Sequence, residues 1–349
     1  MFCLSAASYY ARRALHLPIP HVKEVASKII EISPPIKRKN RPALILPGQL
    51  ERVVSVPEMT DLNFELYRLS DSVVEHCGSY AYLLKDAVLN NGMLYCKSFA
   101  SHRLIRPIHK VFMTLEHEME PCALYSSLYG STYWGHWLKD DCSTYLEASK
   151  IAKPVTPLRE QFSQQLAYEK LLGMKDEKKS ATFFEELWVF EDFAQNESRR
   201  IRYKQLRAKL LQSVGLDNPV KHPGVYVSRG QTGTLRLLLN EEEVIQYLKS
   251  RGFTIIDTLN FTAEEIVHAC AGARVVCGVE GSSLSHGAML LEEEDSILVL
   301  NPPNRFNNIY KDVSDCKSLN YATVVGKLEG CDFRIDIGEL EKTLSLLPD

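Results

Sequence analysis

Two kinds of hydrophobic pattern run along this chain, and one gives way to the other near residue 220. In the first part, residues 80–95 read as two strand-like runs about Asn91-Gly92, a dipeptide that supplies the positive φ values of a tight hairpin. Ser131 or Thr132 is placed to cap a helix that runs to about Lys150. Residues 185–190 form a short, nearly continuous apolar run, the pattern of a buried strand. Asn196 opens a long basic helix to about Val214, closed by Gly215 and followed by Pro219. The first ~60 residues, Pro-rich and basic in places, predict an extended lead-in.

From Gly224 the pattern alternates strictly between strand and helix. Strands are predicted at Val225–Ser228, Phe253–Asp257, Ala273–Gly278, Ser296–Leu300 and Tyr321–Val325. Asn240 with Glu243, and Thr262 with Glu265, have the spacing of capping boxes, and Gly252 and Gly272 end those helices. Short connections between alternating elements predict a parallel α/β sheet of Rossmann type. The expected domains are therefore 1–220, with 1–60 as the lead-in, and 221–335. A last helix within 336–349 could pack back onto the first domain.

Composition adds exclusions. The 349 residues are 45% hydrophobic and 24% charged, which excludes a disordered chain or a fibrous repeat. With 41 Lys+Arg against 44 Asp+Glu the net charge is −3, so no nucleic-acid partner is expected for the whole chain. No apolar window reaches transmembrane length, and the start has no secretory signal pattern. The nine cysteines show no C-x-x-C or zinc spacing, which predicts reduced, mostly buried thiols and a cytoplasmic protein. The sequons at Asn196 and Asn260 fit better as helix N-caps. The basic positions at 199–209 read as a solvated helix face, or else as a peripheral contact with the inner face of a membrane. His117 lies among carboxylates without a ligand set, so no metal site is expected.

Common nucleotide motifs are absent: there is no G-x-G-x-x-G, no Walker loop, no G-x-S-x-G elbow and no D-x-D. Three segments remain. Ser228-Arg229 ends a strand and Arg236 precedes the helix opened by Asn240; two guanidiniums there suit a diphosphate, or else are surface arginines on a loop. Glu280, Gly281, Ser282, Ser283 and His286 join a strand to a helix start, where free N–H groups favour an anion. Glu280 fits a sugar hydroxyl, or a base, better than a phosphate. His136 and Asp140, four apart, share a helix face; such a pair can deprotonate a hydroxyl or be a plain structural bond.

Together these blocks resemble glycosyltransferase family 61. His136-Trp137-Leu138 with Asp140 matches the family's H-W-L-x-D, Ser228-Arg229 its S-R, and Arg236 with Asn240-Glu241 its R-x-x-x-N-E. The family's loop His is Glu280 here and its Asn is His286, as in a bacterial-type branch linked to capsular or surface polysaccharide. The resemblance implies a GT-B architecture, two Rossmann-like domains facing each other across a cleft. It implies an inverting, metal-independent hexosyl- or pentosyltransferase needing no cofactor beyond a nucleotide-sugar donor, UDP-linked in eukaryotic relatives, with a glycan or glycolipid acceptor. His136, Asp140 and Glu280 are the expected catalytic residues. Ser228, Arg229, Arg236, Asn240, Gly281, Ser282, Ser283 and His286 are the expected donor-binding residues. An epimerase or hydrolase on the same fold, or a non-catalytic sugar-nucleotide-binding module, stays open as an alternative.

Overall fold

A computed structural model describes residues 2–107, 110–228 and 236–348. The chain folds as two compact units: Met1–Pro35 with Cys77–Ala194, and Ile36–His76 with Gln195–Asp349. The division after Ala194, rather than near residue 220, assigns the basic helix Glu197–Ser213 to the second unit.

In the first unit a mixed nine-stranded sheet is built on Ser79–Asn90 and Ala181–Glu191, which pair antiparallel. Asn91 and Gly92 have φ of 44° and 88° and close the expected two-residue hairpin to Met93–Cys96. On the other flank Cys122–Leu124 and Lys153–Pro157 run parallel to Ala181–Glu191. The sheet is mixed: Cys122–Leu124, Lys153–Pro157 and Glu177–Lys179 run parallel, joined by the helices Cys142–Ile151 and Gln165–Leu172, while Ser79–Asn90 is joined to its neighbour by a hairpin. The lead-in is not extended. Leu4–Ala14 is a helix, and Lys28–Ser33 adds to the sheet beside Ser79–Asn90. Pro34 and Pro35 then end that strand, since proline offers no ladder N–H.

In the second unit five strands run parallel, in the order Phe253–Asp257, His222–Ser228, Ala273–Val279, Ser296–Asn301, Asn320–Val325. This agrees with the alternating pattern. The direction of winding reverses between His222–Ser228 and Ala273–Val279, and the carboxyl ends at such a reversal are where α/β sheets hold ligands. Ser228 and Glu280 lie there. Thr262 and Glu265 form the expected capping box. Asn196 also caps its helix, accepting from the Arg199 N–H at 3.1 Å. Asn260 caps nothing; its amide donates to Asp257 at 2.6 Å. The last helix, Ile337–Leu344, packs on this unit's own sheet, with Leu340 in the core beside Val324 and Phe333.

Residues 36–76 belong to the second unit. Leu44 bridges to Ala322 along the sheet edge, and Asp61 caps the helix Leu62–Leu69 through the Phe64 N–H. Buried Glu65 accepts from Arg68 and from the Asn308 N–H, each at 2.7 Å.

Asn240 departs from its expected capping role. Its amide donates to the Ile335 carbonyl at 2.8 Å and accepts from the Ile335 N–H at 3.0 Å. Asn240→Ala leaves both buried Ile335 groups without partners. The expected loss is about 1–3 kcal/mol of stability, read as a lower urea midpoint of the second unit's unfolding.

Candidate functional site

Each unit carries one group of the residues marked in the sequence. In the first unit a short helix precedes the expected one, which starts at Trp134 after the extended residue Tyr133. Ser127 caps the short helix, its hydroxyl accepting from the Gly130 N–H at 2.9 Å, and neither Ser131 nor Thr132 caps the longer one, whose N-cap is Tyr133. After Leu128–Thr132 and a short turn at Trp134–His136, residues Trp137–Asp141 form a π-helical turn that leads into Cys142–Ile151. Such turns insert a residue out of helical register and recur at functional sites. Every residue of the turn is buried.

His136 and Asp140 meet as expected, with Nδ1 and Oδ2 2.7 Å apart. Lys139 Nζ donates to the same oxygen at 2.7 Å. His136 Nδ1 lies 2.7 Å from the Asp140 carboxylate and 3.2 Å from Lys139 Nζ, whose shorter contact is with Asp140; the nearer, charged acceptor favours the tautomer with the proton on Nδ1. In the neutral ring the lone pair then sits on Nε2. That nitrogen has no partner among the described residues, and the side chain is partly exposed. Asp140 therefore sets the tautomer, and His136 presents the open atom.

Composition gave no sign of Lys139 or Asp141 as site residues, yet both complete this arrangement. Asp141 accepts from the Ser127 N–H at 3.1 Å and from its hydroxyl at 2.8 Å. A Cβ on Gly130 would strike the Asp141 carboxylate, so glycine is required there. Burial pushes the Asp141 carboxyl up to about 8, against the partial relief of the Ser127 bonds.

In the second unit Arg229 and the glycines at 230 and 233 lie outside the described residues. Ser228 donates its hydroxyl to Glu241 at 3.0 Å. Arg236 and Glu280 are brought together directly. The guanidinium donates to the Glu280 carbonyl from Nη2 at 2.7 Å and from Nε at 3.1 Å, and pairs with the carboxylate at 2.6 Å. Asn307 donates to the other carboxylate oxygen at 2.9 Å. So the carboxylate that looked misplaced beside a phosphate is matched by a buried arginine. Gly281 has φ of 152°, a value that favours glycine, and turns the chain at the strand end. Ser282 and Ser283 follow, half-buried, and their backbone N–H groups find no acceptor among the described residues. His286 is buried, and desolvation pushes its pKa down to about 3, so it stays neutral.

The basic helix is not the solvated face expected. Arg199 and Arg202 are buried. Arg200 and Lys204 pair with Glu293, and Arg207 with Glu292, at 2.7–2.8 Å. A cavity of about 370 Å³ opens beside them, near buried Lys317 and apart from the Arg236–Glu280 pair. The helix therefore offers few uncommitted cations to an anionic membrane. All nine cysteines are free thiols, with Cys77 and Cys331 exposed. Among the described residues no helix is long and apolar enough to cross a membrane, and no three His, Cys, Asp or Glu side chains are grouped to hold a metal ion.

Asp141 gives stability a sign that can be checked. Its folded pKa is raised, so the folded chain holds a proton that the unfolded chain releases from about 3.8 upward. Its contribution is fully present in acid and is lost as pH rises toward 8. Asp141→Asn keeps an acceptor without that titration. The thermal midpoint of wild type minus that of the variant should therefore shrink from pH 5 to pH 8. A gap that stays constant would contradict the shifted carboxyl.

No curated protein matches the chain. Among solved structures, two histidine-substituted mutants of a flavo di-iron protein from Thermotoga maritima are similar at 12% identity, with TM-scores of 0.28 and 0.27. The matches cover 60% of this chain, which spans about half (51%) of the length of those structures. The family model described as Glycosyltransferase 61 matches residues 134–297, a span that contains His136, Asp140, Arg236 and Glu280. That match covers somewhat less than half of the chain and supports the family resemblance carried by the motifs.

Proposed function

We propose that the chain is an inverting glycosyltransferase that moves a hexosyl or pentosyl group from a nucleotide sugar to a hydroxyl of a glycan or glycolipid. The observation that carries this reading is the His136–Asp140 pair with its open Nε2. In the reaction, Nε2 takes the acceptor hydroxyl's proton as that oxygen bonds to the anomeric carbon. The bond from that carbon to the diphosphate breaks on the opposite face, and the nucleoside diphosphate leaves with the electron pair. Asp140 holds the ring and stabilises the imidazolium that forms.

The donor belongs to the second unit in this reading. The strand ends at the winding reversal and the N–H groups of Ser282 and Ser283 are suited to a diphosphate, while Arg236, held by Glu280, braces that strand end. Arg229 is the guanidinium expected to join them. These groups meet the leaving charge without requiring a metal. Glu280 is better suited to positioning than to proton transfer, because Arg236 and Asn307 already engage its two oxygens.

A thermal-shift panel of nucleoside diphosphates and nucleotide sugars, followed by transfer assays on the donor that stabilises, tests the class. On that donor His136→Ala should lower kcat by about 10²–10⁴-fold with the nucleoside diphosphate Kd unchanged by calorimetry. Near-normal turnover in His136→Ala together with inactive Glu280→Gln would transfer the base to Glu280.

A further inference from the structure

Around His136 the chain leaves large rings in contact with solvent. Tyr129 and Tyr133 flank the imidazole, with centroids 5.5 and 6.0 Å away, and Phe193 meets the edge of Tyr129 at 6.4 Å. Tyr133 is 45% exposed and Phe193 53% exposed. Neighbouring aromatics behave differently: Trp137 is fully buried, and Trp134 stacks on it at 5.0 Å. Clustered exposed rings forgo burial that a ligand can supply.

A second observation limits what that ligand is. Phe193 and Asp140 also line a small recess with Arg103 and Ser126. The recess measures about 10 Å³, room for one water-sized group. Those two lining residues also carry buried polar atoms, Ser126 Oγ and Arg103 Nε, without hydrogen-bond partners among the described residues. A purely apolar occupant would leave both unsatisfied. A ligand with an apolar C–H face and outward hydroxyls answers both features, and a pyranose ring has that character.

We propose that Tyr129, Tyr133 and Phe193 form the platform on which an acceptor pyranose stacks, with one ring hydroxyl directed at the Ser126–Arg103 recess. The acceptor hydroxyl then faces His136 Nε2. This rests on the transferase reading of His136, and makes it specific: the acceptor is recognised as a sugar ring, not as a lipid or a peptide.

Saturation-transfer NMR with methyl pyranosides and disaccharides on the whole chain tests it, with benzyl alcohol as an apolar control. Wild type is expected to bind at least one of the pyranosides. Tyr133→Ala and Phe193→Ala should each weaken that binding roughly tenfold, with Tyr133→Phe close to wild type and UDP binding unchanged. Ser126→Ala, which removes no ring, should weaken sugars but not benzyl alcohol. Absence of pyranoside binding to wild type, or binding indifferent to both ring deletions, overturns the platform. A transfer assay separates the two readings. Ring-dependent sugar binding with no transfer from any donor upholds the platform and sinks the transferase. Transfer with an acceptor KM unchanged in Tyr133→Ala does the reverse.

Discussion

A charge withdrawn from water must find an opposite charge or a set of donors, and both units of this chain are arranged around that requirement. In the first unit Asp140 is buried and collects His136 and Lys139 on one oxygen. In the second, Arg236 and Glu280 neutralise each other inside the unit. Glu65 with Arg68, and Lys311 with Asp315, repeat the pattern where helices meet the sheet. The candidate site residues are not independent reactive groups placed on a scaffold. They are members of pairs, and each partner decides which atoms remain for a ligand.

That pairing explains what the sequence disclosed and what it hid. Several local signals held. The Asn91-Gly92 hairpin, the Asn196 cap and the Thr262–Glu265 box each depend on residues within a turn of one another, and each formed. The five parallel strands were legible because alternation with capped helices is itself a local pattern. Long-range partners left no trace. Residues 36–76 join the second unit through Glu65 and Asn308, which are far apart in sequence. The basic helix looked solvated because Glu292 and Glu293, which neutralise it, lie more than eighty positions on. Asn240 looked like a cap because nothing local reveals Ile335 as its partner.

Of the residues marked in the sequence, the fold brings two pairs into contact. His136 with Asp140, and Arg236 near Glu280, are together as pairs. The π-helical turn was invisible, since a 3.6-residue period describes it as ordinary helix. Yet that turn is where Lys139, Asp140 and Asp141 are all buried, a result that three consecutive polar residues on a regular helix would rarely reach.

A general base needs a lone pair that the fold has not already used, and it needs that pair where a hydroxyl can reach it. Asp140 fails the first condition, because Oδ2 accepts from two donors and the group is buried. Glu280 is similarly engaged, by a guanidinium on one oxygen and an amide on the other. His286 is neutral but buried. His136 meets both conditions, because the bond that orients it uses Nδ1 and leaves Nε2 available. The exposed rings beside it make the same atom accessible to a ligand with a hydrophobic face. In the proposed reading, buried Asp140 orients the ring and the exposed rings beside it offer a ligand an apolar surface.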